Sequence, residues 1–216
     1  MGQVLAMKSG MAIMAALVLA LAGCGNTENR DVLTKQLFEL FTTAQGAGEP
    51  APDAAALRAS LTPQVLAPVD GPVLLVELPA RDAAAVLTRI GTNRGVETFL
   101  TPDGISLSLA NGLVVATRGL GFDLMSADVN DVARALRGGG ATGNRIHRHL
   151  DGENQLIATS FVCSYARRPD GQIAETCESP DRTFTNSYLT DSSGNIRTSR
   201  QWISAETGYI VIEKIK

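Results

Sequence analysis

The pair Asn111-Gly112 stands between two runs of alternating apolar and polar residues, 105–110 and 113–118, and it leaves the chain few options. A two-residue hairpin loop needs positive φ at both central positions, which asparagine and glycine tolerate and most residues do not. Immediately upstream, Pro102-Asp103-Gly104 joins 96–101 to 105–110, so 96–118 is predicted as a three-stranded meander. Proline pre-sets the first turn position and glycine accepts the left-handed one. Short runs of this kind recur from Val73 to Lys214: 73–78, 145–150, 155–167, 172–178, 183–190, 195–203 and 209–214. The segment 83–90 is ambiguous, because its alanines favour helix while its place before Asn93-Arg94-Gly95 favours a hairpin. We read it as strand. The expected fold is mainly β, with antiparallel meanders forming a sandwich or open barrel.

Helices are expected at three places. Residues 29–44 put Val32, Leu33, Leu37, Leu40 and Phe41 on one face, with Asn29 as cap. A short helix fits 53–61, after the Gly- and Pro-bearing linker 45–52, and another fits 128–136, capped by Asp128. A faint echo links residues 100–104 with 189–194, but turn chemistry alone repeats such strings.

Another Pro-Asp-Gly, at 169–171, allows a test of the cysteines. A three-residue loop sets Arg168 opposite Gln172, and the same register sets Cys163 opposite Cys177. Counted out from the turn, they fall on a non-hydrogen-bonded pair, where Cα atoms approach to about 4.5 Å. That lies at the short end of disulfide geometry. The plain alternative is two buried thiols. A bond closing about 15 residues is worth roughly 3 kcal/mol in the chain-entropy model.

The third cysteine belongs to the N-terminus. Lys8 precedes the apolar run 11–21, which is shorter than the roughly 20 residues a spanning helix needs. The run fits a signal peptide. Leu21-Ala22-Gly23-Cys24 follows it directly and resembles the lipobox of bacterial lipoproteins. There the cysteine sulfur takes a diacylglycerol, the peptide is cut before it, and the new amine is acylated. The expected organisation is a signal peptide at 1–23, then a lipidated cysteine, tether, helix and linker at 24–52, and a β-rich periplasmic domain at 53–216. The initiator is Met1 or Met7. Gly25 is not the Asp that resembles an inner-membrane retention signal, so the expected place is the outer membrane, facing the periplasm.

Few residues suggest chemistry. Loss of Lys8 takes the net charge from −3 to −4, and with no strongly basic stretch a nucleic-acid partner is not expected. Gly138-Gly139-Gly140-Ala141-Thr142-Gly143 matches G-x-G-x-x-G, but it follows a helix and precedes a strand, the reverse of a dinucleotide turn. His147 and His149 share a strand face with Asp151. Arg145 would join that face and repel a cation, so a solvated strand is expected there, with no metal site. Asp191-Ser192-Ser193-Gly194 reads as a turn and no serine sits in Gly-x-Ser-x-Gly. No catalytic residue and no cofactor is expected.

The least generic string is Ala116-Thr117-Arg118-Gly119-Leu120-Gly121-Phe122-Asp123-Leu124-Met125. Arg118, Gly119, Gly121 and Asp123 read as an internal corner with an Arg–Asp pair or, alternatively, as a partner-binding surface to which Trp202 is added. With Gly112-Leu113-Val114-Val115 before it, Glu97-Thr98-Phe99, Gln201-Trp202 and Gly208-Tyr209, the chain resembles the lipoprotein family containing YjbF and the group 4 capsule protein GfcB. That resemblance implies a β-rich periplasmic domain working with exopolysaccharide or capsule export components, an outer-membrane barrel protein among them. It carries over no catalytic residues. The expected role is an accessory lipoprotein acting as a binding or assembly module. The rivals are a polysaccharide-binding or modifying enzyme, and a structural envelope lipoprotein unrelated to glycans.

Overall fold

The computed structural model describes residues 53–216 apart from Gly139. The expected helix at 29–44 and its linker lie outside the described residues. Twelve strands follow in chain order: β1 Val73–Leu78, β2 Ala83–Asn93, β3 Val96–Leu100, β4 Ser106–Ala110, β5 Leu113–Arg118 and β6 Ser126–Asp128. The second half comprises β7 Thr142–Leu150, β8 Leu156–Arg167, β9 Ile173–Ser179, β10 Arg182–Thr190, β11 Ile196–Ser204 and β12 Gly208–Lys214. The ambiguous segment is a strand, and it runs three residues beyond Ile90.

All twelve strands belong to one antiparallel sheet in the order β5-β4-β3-β2-β1-β12-β11-β10-β9-β8-β7-β6. Each strand pairs with its sequence neighbour, β1 pairs with β12, and the one unpaired junction lies between β5 and β6. The result is a nearly closed barrel-like sheet, the open-barrel form of the expected class. The segment between the two edges stitches them: Thr117 N donates to Leu124 O at 2.9 Å and Met125 N to Arg148 O at 2.8 Å.

Turn chemistry sets the strand ends. Asn111 and Gly112 have φ of 52° and 81°, as a two-residue hairpin loop requires. A Cβ on Gly112 would also meet Ile196 Cβ at 2.9 Å, so this turn packs directly on β11. Four other hairpins share one loop, in which the first residue's N–H bonds the carbonyl four residues on. The carbonyl acceptors are Ile105, Gln155, Gln172 and Asn195, and each loop has a positive φ at Gly104, Asn154, Gly171 or Gly194. The echo between 100–104 and 189–194 is this loop recurring.

Three short α-helices and a 3₁₀ turn at Pro79–Arg81 complete the described residues. Helix α1, Ala54–Ser60, is capped by Asp53, whose carboxylate accepts from Ala56 N at 2.7 Å. It packs outside β1 and β2, which explains why β1 is buried from Val73 to Val76 without alternation. An Arg58–Glu213 ion pair ties it to β12. Helix α2, Pro63–Leu66, follows. Helix α3, Asn130–Leu136, starts two residues later than expected: Asp128 belongs to β6 and accepts from Asn130 N at 3.2 Å. The short strand β6 carries no apolar alternation by which it could be foreseen.

Candidate functional site

Alternation along the strands turns Arg145, His147, Glu175, Asn186 and Tyr188 into the barrel, where each is at most 1% exposed. This overturns the solvated-strand expectation for β7. Arg145 forms a bidentate pair with Glu175, Nε to Oε1 at 3.1 Å and Nη2 to Oε2 at 2.9 Å, and Nη2 also donates to the Tyr188 hydroxyl at 2.9 Å. Glu175 further accepts from Tyr188 at 2.6 Å, Asn186 at 2.7 Å and Tyr165 at 3.2 Å. The carboxylate thus has five hydrogen bonds, enough to offset the cost of burying a charge. Burial alone would raise the Glu175 carboxyl, but Arg145 and the hydrogen bonds hold it below its ordinary value. Burial and Glu175 together push the Tyr188 hydroxyl up.

His147 completes the group. Its Nε2 lies 3.4 Å from Arg145 Nη1 and must accept, since arginine only donates. The proton of the neutral ring is then on Nδ1, which has no partner among the described residues. Burial first, then Arg145 and His149, hold His147 well below its ordinary value. His149, half-buried, is also lowered, chiefly by burial, with its ring bonded to Ile203 O at 3.0 Å. Around His147 stand Phe161, Phe184 and Trp202, with Phe184 and Trp202 stacked at 4.5 Å. Trp202 is 9% exposed, so it is a wall of this cluster and offers little surface to a partner. The Cys163–Cys177 disulfide lies against it, with Cα atoms 4.0 Å apart and the expected register.

The string from Thr117 to Met125 closes one end of the barrel. Asp123 accepts from Thr117 Oγ1 at 2.7 Å, Gly119 N at 2.9 Å and Leu120 N at 3.1 Å. Arg118 instead donates to the carbonyls of Thr117, Leu124 and Met125. The expected Arg118–Asp123 pair is therefore not formed: each side chain satisfies backbone groups that a sharp bend orphans. Gly119 and Gly121 both have φ of 91°. Leu120 and Leu124 point into the core, and Arg81, Ser204 and Thr207 bind the carbonyls of Leu120 and Phe122. The corner is thus a plug.

Among the described residues the opposite end is open. There the β2–β3, β4–β5 and β10–β11 turns and α3 surround a cleft of about 440 Å³. Leu74, Phe99, Leu109 and Ile212 form its floor, and Arg89, Arg137, Arg197 and Lys214 are among its lining residues. Glu97 is its one lining carboxylate among the described residues, and it binds Arg89 at 2.7 Å.

Over residues 34–215 the sequence matches the family model described as "Group 4 capsule polysaccharide lipoprotein gfcB, YjbF". The chain belongs to that family. Among solved structures, the hypothetical lipoprotein YmcC from Escherichia coli (K12) shares the family member's fold, with a TM-score of 0.60 and 16% identity over 78% of this chain and 97% of that one. At that identity the likeness is one of fold. No protein among curated ones matches the sequence.

Within this family member, the string that first drew attention spans β5 and the plug. The interior cluster and the cleft were not singled out from sequence. Alternation in β7 was visible, but not which of its faces turns inward, so neither Arg145 nor its carboxylate partner stood out. The cleft's cations, at 89, 137, 197 and 214, form no run and converge only in the fold.

Proposed function

We propose that this chain is a lipid-anchored accessory protein of capsule or exopolysaccharide production, acting as a binding or assembly module and not as a catalyst. The observation that carries the reading is the family match across nearly the whole chain. The architecture supports it: the buried ionic cluster is sealed from solvent, one end is plugged, and the other offers a cleft to a ligand. Cys24 takes the diacylglycerol before 1–23 are removed, residues 24–52 tether, and the barrel works in the periplasm from the outer membrane. Anchoring confines the domain near membrane partners and so raises its effective concentration there. The partners are an outer-membrane barrel and other components of exopolysaccharide export.

Gene deletion with complementation tests this. Loss of secreted polysaccharide, restored by the natural chain and not by Cys24→Ser, is the expected result. Unchanged output on deletion would remove the capsule role. Intact mass of the purified protein checks the anchor itself: a chain starting at Cys24, with diacylglycerol on the sulfur and one acyl chain on the amine, is expected.

A further inference from the structure

The open cleft has no assigned occupant, and its charge is one-sided. Arg137, Arg197 and Lys214 line it, are exposed, and form no ion pair among the described residues. Asp191 feels Arg197 only weakly and is already engaged by the amides of Ser193 and Asn195 at 2.9 Å. The three cations come from separate places: just past α3, within β11, and at the end of β12. Tertiary structure gathers them, in a chain whose net charge is −3. Like charges held together repel, and a cleft lined by one sign focuses the field on a counter-charged ligand.

Size and floor narrow the ligand. A volume near 440 Å³ is far more than a bare ion needs and falls in the range of about 300–1,000 Å³ common to small-molecule sites. The floor of Leu74, Phe99, Leu109 and Ile212 offers apolar contact, while Asn111 and Asn195 at the rim offer hydrogen bonds. Apolar C–H faces, hydroxyls and an acidic group together describe an acidic sugar.

The geometry points to this cleft as the binding site for an anionic segment of polysaccharide, carboxylated or phosphorylated, whose acidic groups meet Arg137, Arg197 and Lys214. The saccharide part of this assignment rests on the capsule reading above; the negative charge rests on the cleft itself.

Titration calorimetry on the full chain in non-ionic detergent tests it, with trigalacturonate, maltotriose and inorganic phosphate as probes at low and high salt. Trigalacturonate is expected to bind, and more weakly at high salt. Arg137→Gln/Arg197→Gln/Lys214→Gln is expected to weaken it by roughly tenfold or more, while Arg167→Gln/Arg168→Gln, two exposed cations away from the cleft, leaves it unchanged. Thermal melting of both variants confirms that they fold. Equal binding of maltotriose would overturn the anionic requirement, and binding of phosphate without trigalacturonate would overturn the saccharide. No binding by any probe, or no effect of the triple replacement, would overturn the site. Because these readouts are independent of secretion, their failure is distinct from an unchanged polysaccharide output, which strikes the capsule role instead.

Discussion

On the β1–β5 side, the barrel interior is filled by Leu74, Val76, Leu87, Phe99, Leu107 and Leu109; on the β7–β10 side it holds Arg145, His147, Glu175, Asn186 and Tyr188, all likewise buried. Both halves exclude water from the same sheet, yet by different means. Aliphatic packing is non-directional and tolerates exchange at constant volume. The ionic half is directional: Glu175 accepts five hydrogen bonds that fix four strands, β7 to β10, in one register, and any missing partner leaves a buried charge exposed to a medium that cannot solvate it. Natural sequences retain such clusters at a cost in desolvation. Here the cluster stands beside the disulfide, so the half with the less forgiving packing also holds the covalent brace.

The widest separation between the halves is expected from Glu175→Ala, which strands Arg145. It should destabilise by about 3–5 kcal/mol in denaturant unfolding. Leu109→Ala in the aliphatic half should cost about 2–5 kcal/mol and the same amount at pH 5 and pH 8; a pH-dependent cost would break the distinction. Replacing both Cys163 and Cys177 by serine should cost roughly 3 kcal/mol, a loss that reducing agent reproduces in the natural chain.

The smallest effect is a slope. His147 has its folded value lowered, so the unfolded chain takes up the proton first and stability falls as pH drops below about 6.5, by at most about 1.4 kcal/mol per pH unit for one group. His149, shifted the same way, adds to it. Glu175 is depressed as well, so its contribution is present above its unfolded value near 4.5 and is lost as pH falls through the lower folded one. His147→Phe keeps an aromatic ring in the stack and should flatten the upper part of that profile, measured as melting temperature between pH 7 and pH 5.

The strands were legible because hairpin loops are local chemistry: Asn111-Gly112 and the Pro-Asp-Gly turns fix their own neighbours, and the register from Gly171 outward led straight to the Cys163–Cys177 bond. What could not be read were contacts across the ring. Arg145 finds Glu175 thirty residues away, and nothing near Arg145 says which face of β7 turns inward. For the same reason Arg118 and Asp123, five residues apart, looked like natural partners, although the bend between them gave each a backbone to satisfy first. Trp202 was grouped with them and belongs instead to the ring stack around His147.

The pairing of β1 with β12 has a consequence for how the chain is made. The first described strand borders the last, with Val73 joined to Ile215 and Lys216, so the ring stays incomplete until residues 208–216 have joined it. A chain ending before Gly208 leaves the unbroken apolar stretch from Val73 to Val76 with a bare edge, an adhesive template for other such fragments. Chains truncated before Gly208 should therefore yield insoluble material where the full chain stays soluble.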